Sequence, residues 1–178
     1  MKTEFEGRIL GVDPEALVRI LEELGAEKVG EYLYRRHIYD LEPGKDEAWI
    51  RLRTDGQTTT LTIKERERDA VDGMKELEFP VGDFDTAHLF VERLGRPARW
   101  KQENRRIRYV LDGIEIDIDS WPLIPPYLEV EGDSVEAVER MIERLGFSLS
   151  DMVTFGTKAI YENYGIDLHA IPDLRFEE

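Results

Sequence analysis

The chain has 178 residues, 41% of them hydrophobic and 35% charged, with 39 acidic against 24 basic side chains for a formal charge of −15. That length fits a single domain, residues 1–178, with ample chain for a core, and the acidic balance excludes a general nucleic-acid binder, which needs a positive footprint for phosphates. There is no cysteine, hence no disulfide, thiolate ligand or cysteine nucleophile; no apolar run reaches the roughly 18–20 residues of a membrane span and no leader pattern opens the chain, so the expected setting is cytoplasmic, without a membrane partner.

The first predicted strand, 3–10, lies in KTEFEGRIL and puts Glu4, Glu6 and Arg8 on one face, with Phe5, Gly7 and Ile9 on the other. A helix follows in DPEALVRILEELG. Asp13 suits the N-cap, Pro14 the first helical position and Gly25 the C-terminal cap, while Leu17, Ile20, Leu21 and Leu24 keep helical spacing. Strands at 30–41, 47–54, 58–66 and 73–81 come next, punctuated by turn chemistry such as EPGKD and TDGQ. A second helix, DFDTAHLFVERLG, is capped by Asp83 or Asp85 and closed by Gly95. Strands at 99–111, 113–120 and 126–132 lead to a third, DSVEAVERMIERLG, capped by Asp133 or Ser134 and ended by Gly146. TKAIYENYG suggests a fourth, shorter helix.

The first three helices all end in Leu-Gly, and each follows a strand with a spaced carboxylate pair: EFE, ELE or EVE. Similar strands, YRRHIYDL and ENRRIRYVL, follow the first two helices, which reads as a degenerate duplication of a strand–helix–strand unit. Strands joined by short turns pair antiparallel, so the fold class is α+β, with a largely antiparallel sheet and helices outside it.

Alternation gives every strand one apolar and one charged face. Arg51 and Arg53 oppose Ile50 and Leu52; Thr60, Thr62, Lys64 and Arg66 oppose Leu61 and Ile63; Glu76 and Glu78 oppose Leu77 and Phe79. Farther on, Asn104, Arg106 and Arg108 share a face, as do Glu115, Asp117 and Asp119, and Glu129 and Glu131. For one strand alone, a solvated outer face is the ordinary explanation. Here the charges segregate by sign from strand to strand. A sheet curled into a closed barrel with its apolar face outward gathers them inside, where they must pair or bind a cation and an anionic ligand.

These motifs resemble the CYTH, or triphosphate tunnel metalloenzyme, superfamily, which includes class IV adenylyl cyclases, thiamine triphosphatases and inorganic triphosphatases. Glu4-Phe5-Glu6-Gly7-Arg8 matches the family's Glu-x-Glu-x-Lys strand, with Arg8 in place of the lysine. WIRLR, TIKER, ENRRIRY, DID and PYLEVEG continue the match in order over nearly the whole chain. The resemblance implies an antiparallel eight-stranded closed barrel forming a tunnel. It implies Glu4, Glu6, Glu129 and Glu131 as metal ligands, completed by Asp117 or Asp119, with Asp117 preferred, for Mg²⁺ or Mn²⁺. Arg8, Arg51, Arg53, Lys64, Arg106 and Arg108 then clamp the phosphates, and Glu4, Glu6 and Arg8 form the catalytic strand. Arg8 still binds phosphate but, always protonated, cannot act as a base. Glu76 and Glu78 face the same interior, as phosphate-site or ion-pair residues, and Lys158 of the last helix lies either at a tunnel mouth or in solvent.

The implied partner is a small-molecule triphosphate, in a monomer or homodimer. The implied reaction is its hydrolysis; cyclisation of ATP to cyclic AMP and pyrophosphate is the alternative, and a non-catalytic polyphosphate- or nucleotide-binding module is a reading of another class. No phosphate-binding glycine loop occurs. His37, His88 and His169 are scattered and read as structural, and Trp49, Trp100 and Trp121 as core or rim packing.

Overall fold

The computed structural model describes residues 1–177. Eight long strands carry the fold: β1 (Lys2–Leu10), β2 (Glu27–Asp40), β3 (Ala48–Thr54), β4 (Thr59–Arg66), β5 (Met74–Val81), β6 (Trp100–Leu111), β7 (Ile114–Ser120) and β8 (Tyr127–Gly132). Hydrogen bonding runs β6-β2-β3-β4-β5-β1-β8-β7, and β7 pairs back onto β6, so the sheet closes into an eight-stranded antiparallel barrel. Two short strands extend it. Met152–Val153 (β9) pairs with the end of β1, and Asp173–Leu174 (β10) runs parallel to the start of β6.

The helices are α1 (Pro14–Glu23), α2 (Phe84–Arg93), α3 (Val135–Arg144) and α4 (Thr157–Asn163). Asp13 caps α1, accepting from the amides of Glu15 and Ala16. Asp83, rather than Asp85, caps α2, and Ser134, rather than Asp133, caps α3, each accepting an amide three residues ahead. The three Leu-Gly endings share a cause: Gly25, Gly95 and Gly146 all take positive φ, which lets the chain turn back from the helix without a Cβ clash.

The duplication read from the sequence has a topological counterpart. Exchanging β1-α1-β2-β3-β4 with β5-α2-β6-β7-β8 leaves the set of barrel pairings unchanged: β1–β5 and β2–β6 map onto themselves, and β1–β8 exchanges with β4–β5. One difference matters. α3 follows β8 and packs Val138, Met141 and Ile142, with Leu17 and Leu21 of α1, onto the outward Ile116, Ile118, Leu128 and Val130. No helix follows β4, so outward Leu77 and Phe79 of β5 are about half exposed, and the helical jacket is incomplete there. α2 covers the neighbouring patch through Phe84 and Val91 against Tyr39 and Leu52. α4 seats Ile160 and Tyr161 on Trp121 and Tyr127.

Gly7 explains the closeness of α3 to β1. A Cβ there would lie 2.7 Å from Met152 Sδ and 3.1 Å from a methyl carbon of Val138. Among the described residues, no helix is long and apolar enough to cross a membrane.

Candidate active site

Inside the barrel, alternation brings the charged faces together around a cavity of about 570 Å³. Of the residues singled out in the sequence, Glu4, Glu6, Arg8, Arg51, Arg53, Lys64, Arg106, Arg108, Asp119, Glu129 and Glu131 all border it, as do Glu76, Glu78 and Lys158. Asp117 is buried but does not reach the cavity.

The interior charges fall into three groups. The first is a closed ion-pair network on β6, β7, β8 and β1. Arg106 holds Asp117 at 2.6 Å, Asp119 at 2.5 Å and Glu129 at 2.9 Å. Arg108 takes Asp117 and Glu115, and Arg8 takes Glu129 at 2.7 Å, Glu6 at 2.8 Å and the Phe155 carbonyl at 3.1 Å. Burial opposes ionisation of Glu129, yet Arg8 and Arg106 prevail and pull it well below the usual carboxylate range. Both aspartates left open by the sequence are therefore committed to arginines.

A second network crosses β3, β4, β5 and β1. Lys64 bridges Glu4 at 2.8 Å and Glu76 at 3.1 Å. Arg51 reaches Glu76 and Glu78 at 3.3 and 3.1 Å, and the Thr62 hydroxyl donates to Glu78 at 2.7 Å. Glu76 and Glu78 are thus ion-pair partners of the basic residues.

The third group is charge left uncompensated, and it has two poles. On β1 and β8, burial and the neighbouring Glu4, Glu129, Glu115 and Glu6 push Glu131 up to about 7. Glu4 rises to about 6, through burial and the nearby Glu76 and Glu6, despite Lys64. Opposite, on β2 and β3, burial and neighbouring arginines, Arg51 foremost for both, lower Arg53 to about 10 and Arg36 to about 9, although Arg53 keeps Glu78 at 3.8 Å. Guanidinium groups stay charged at neutral pH, so these shifts reflect burial first and the repulsion of neighbouring arginines second.

The barrel is filled beyond the arginines by Tyr34, which lies under Arg53 at 4.7 Å and stacks on Tyr32. The other end opens between the β2–β3 loop (Lys45, Asp46, Glu47) and α4, where Lys158 lies 3.7 Å from Asp46. Trp49, Trp100 and Trp121 all border the cavity, and His169 stacks on Trp100 at 4.0 Å. His37 and His88 meet outside the barrel beneath α2, 4.6 Å between ring centres; burial and His88 lower His37 to about 4.

The sequence itself matches a known domain: the CYTH domain model covers residues 2–155. The chain belongs to the CYTH family. Solved structures agree in fold. The PH1012 protein of Pyrococcus horikoshii is 24% identical with a TM-score of 0.72, covering 84% of this chain and 93% of its own. A Vibrio parahaemolyticus protein described as a candidate adenylate cyclase reaches TM-score 0.76 at 14% identity, over 90% and 98% of the two chains. A Hippeastrum protein described as a candidate adenylyl cyclase with a dominant triphosphatase activity reaches 0.61 at 18%, over 93% and 96%. No curated protein matches the sequence at a significant level.

For this CYTH chain, the donor set can be compared with a hard cation. Among the described residues, no three acidic or histidine side chains are already gathered around one point. Glu4, Glu6 and Glu131 nevertheless carry repulsion that a divalent cation relieves, and all-oxygen ligation suits Mg²⁺ or Mn²⁺. The residues fit the ion.

Sequence reasoning missed Arg36 and Tyr127, both on the cavity wall. Arg36 shares its β2 face with Tyr34 and Ile38, a mixed pattern that hides an inward charge; pairing β2 against Arg53 of β3 is the signal that finds it.

Proposed function

We propose that this protein is a metal-dependent phosphohydrolase acting on a triphosphate-bearing substrate, whether inorganic, nucleoside or thiamine triphosphate, bound inside the barrel. The observation that carries this reading is the bipolar cavity: surplus carboxylate on β1 and β8 faces surplus guanidinium on β2 and β3. A magnesium-bound polyphosphate has that same polarity, a cation at one side and exposed anionic oxygens at the other.

In this reading Glu4, Glu6, Glu129 and Glu131, with Asp119 rather than Asp117, which does not reach the cavity, would hold the metal, whose chemistry is to neutralise charge developing on the phosphates. Arg51, Arg53, Lys64, Arg106 and Arg108 hold phosphate oxygens. Lys64 is placed to do so from between Glu4 and Glu76, exchanging a carboxylate for a phosphate without leaving its strand. Arg8 acts through others: by gripping Glu6, Glu129 and the Phe155 carbonyl it fixes two carboxylates and ties the mouth segment to β1. Walls of fixed charge around a confined cavity make each contact stronger than it would be in open solvent.

The test is a product assay with tripolyphosphate, ATP and thiamine triphosphate, each with Mg²⁺ or Mn²⁺. Orthophosphate release is the expected outcome. Cyclic AMP plus pyrophosphate from ATP would replace hydrolysis with cyclisation, and tight binding without turnover under either metal would leave a binding module.

A further inference from the structure

Arg36 is the cavity cation that the carboxylates leave alone. Arg8, Arg51, Arg106, Arg108 and Lys64 each touch at least one carboxylate within 3.3 Å. Arg36 has no acidic side chain at ion-pair distance among the described residues; its register partners are Arg53 and Gln102. Its Nη2 donates to Asn104 Oδ1, its plane lies 4.6 Å over the Trp121 ring, and its Nε is buried without a partner. Yet only 8% of the residue is exposed. Burying a guanidinium without a directly paired counter-ion is costly, and the neighbours add to the cost, since Arg51 and Arg53 each repel it more strongly than Asp119, held beyond Asn104, attracts it.

The group is also held in place. Asn104 accepts from Arg36 and donates to Asp119 at 3.2 Å, so the amide is locked between a guanidinium and a carboxylate. Trp121 supports the guanidinium plane from below. A fixed, unpaired, buried donor on a cavity wall is arranged for an anion that arrives from outside the protein. Its position says which part of the anion. Around the barrel β2 lies four strands from β1 in either direction, so Arg36 faces the wall that carries Glu4 and Glu6.

We infer that Arg36 binds the phosphate farthest from the acidic wall, and thereby selects a chain of three phosphates over a chain of two. This rests on the function proposed above, because the polyphosphate must span the cavity from the carboxylate pole to the arginine pole. A shorter chain anchored at the carboxylates leaves Arg36 unfilled.

The experiment compares wild type, Arg36→Gln and Arg36→Lys for binding of tripolyphosphate and of pyrophosphate. Calorimetry is run with Ca²⁺, another oxygen-seeking cation, so that the reading does not depend on turnover. Arg36→Gln is expected to weaken tripolyphosphate by about tenfold to hundredfold, the worth of a charge-assisted hydrogen bond, and to leave pyrophosphate nearly unchanged. Arg36→Lys recovers part of the loss. Melting of the ligand-free Arg36→Gln protein should stay level or rise, because like-charge repulsion falls; if that variant fails to fold, the smaller but still tripolyphosphate-selective loss in Arg36→Lys decides. Equal losses for both anions, or no loss, would overturn the assignment. Failure of the wild type to bind tripolyphosphate would instead sink the proposed function.

Discussion

Glu6 of β1 stands directly opposite Glu131 of β8 in the antiparallel register, and only one of the two has a close cation. Arg8 lies 2.8 Å from Glu6, whereas the nearest cation to Glu131 is the largely exposed Lys2 at 3.8 Å. Like charges directly opposed across a strand pair are destabilising. The strain therefore falls on Glu131, the carboxyl that burial and its acidic neighbours push up to about 7.

The pH dependence of stability follows from that shift. Between the ordinary value of 4.5 and about 7 the folded protein retains a proton that the unfolded chain has lost. The contribution of Glu131 is thus fully present below 4.5 and fades as pH rises through 7. In metal-free protein, Glu131→Gln should melt higher than wild type at pH 8, by an amount on the order of 2–3 kcal/mol, and at nearly the same temperature at pH 4. Thermal melts at both pH values check this, and equal shifts at the two would refute it.

Glu6→Gln probes the candidate metal site itself. Arg8 keeps Glu129 as a partner, so the ligand-free fold should lose little. Wild type should gain roughly 2.7 kcal/mol when Mn²⁺ plus tripolyphosphate is supplied at a hundredfold excess over its dissociation constant, and Glu6→Gln should lose most of that gain together with turnover. An equal gain in both proteins would remove Glu6 from the site.

Arg106 and Arg108 should behave differently despite sharing a strand. Arg106→Met leaves Asp119, only 1% exposed, without its cation, and strips one partner from Glu129. The expected cost is about 3–5 kcal/mol, as for other broken buried pairs. After Arg108→Met, Asp117 still has Arg106 at 2.6 Å, so the loss should be clearly smaller. Urea denaturation of the two variants gives the ordering; the reverse ordering would contradict the network.

Gly7→Ala tests the outer face of the same strand that carries the glutamates inward. The added methyl must displace Met152 or push α3 off the barrel, and overpacking of that kind costs about 1–3 kcal/mol. Equilibrium unfolding should show the loss. A neutral result would mean that α3 shifts freely over β1.

By itself the sequence determined which residues point inward, because a period of two assigns faces before any partner is known, and helix caps and Leu-Gly endings fixed the helices nearly to the residue. It also determined the family motifs, since Glu-x-Glu and Arg-x-Arg are written within single strands. Tertiary structure alone decided who meets whom. Only closure of β6 onto β7 showed that Asp117 and Asp119 are both consumed by arginines, while Glu131 keeps its charge unrelieved. β9 and β10 were illegible because two residues carry no period, and Arg36 because its strand mixes aromatic, apolar and basic groups on one face. Its lack of an acidic partner is a property of the strands beside it and across the barrel, and strand order is not encoded in local alternation.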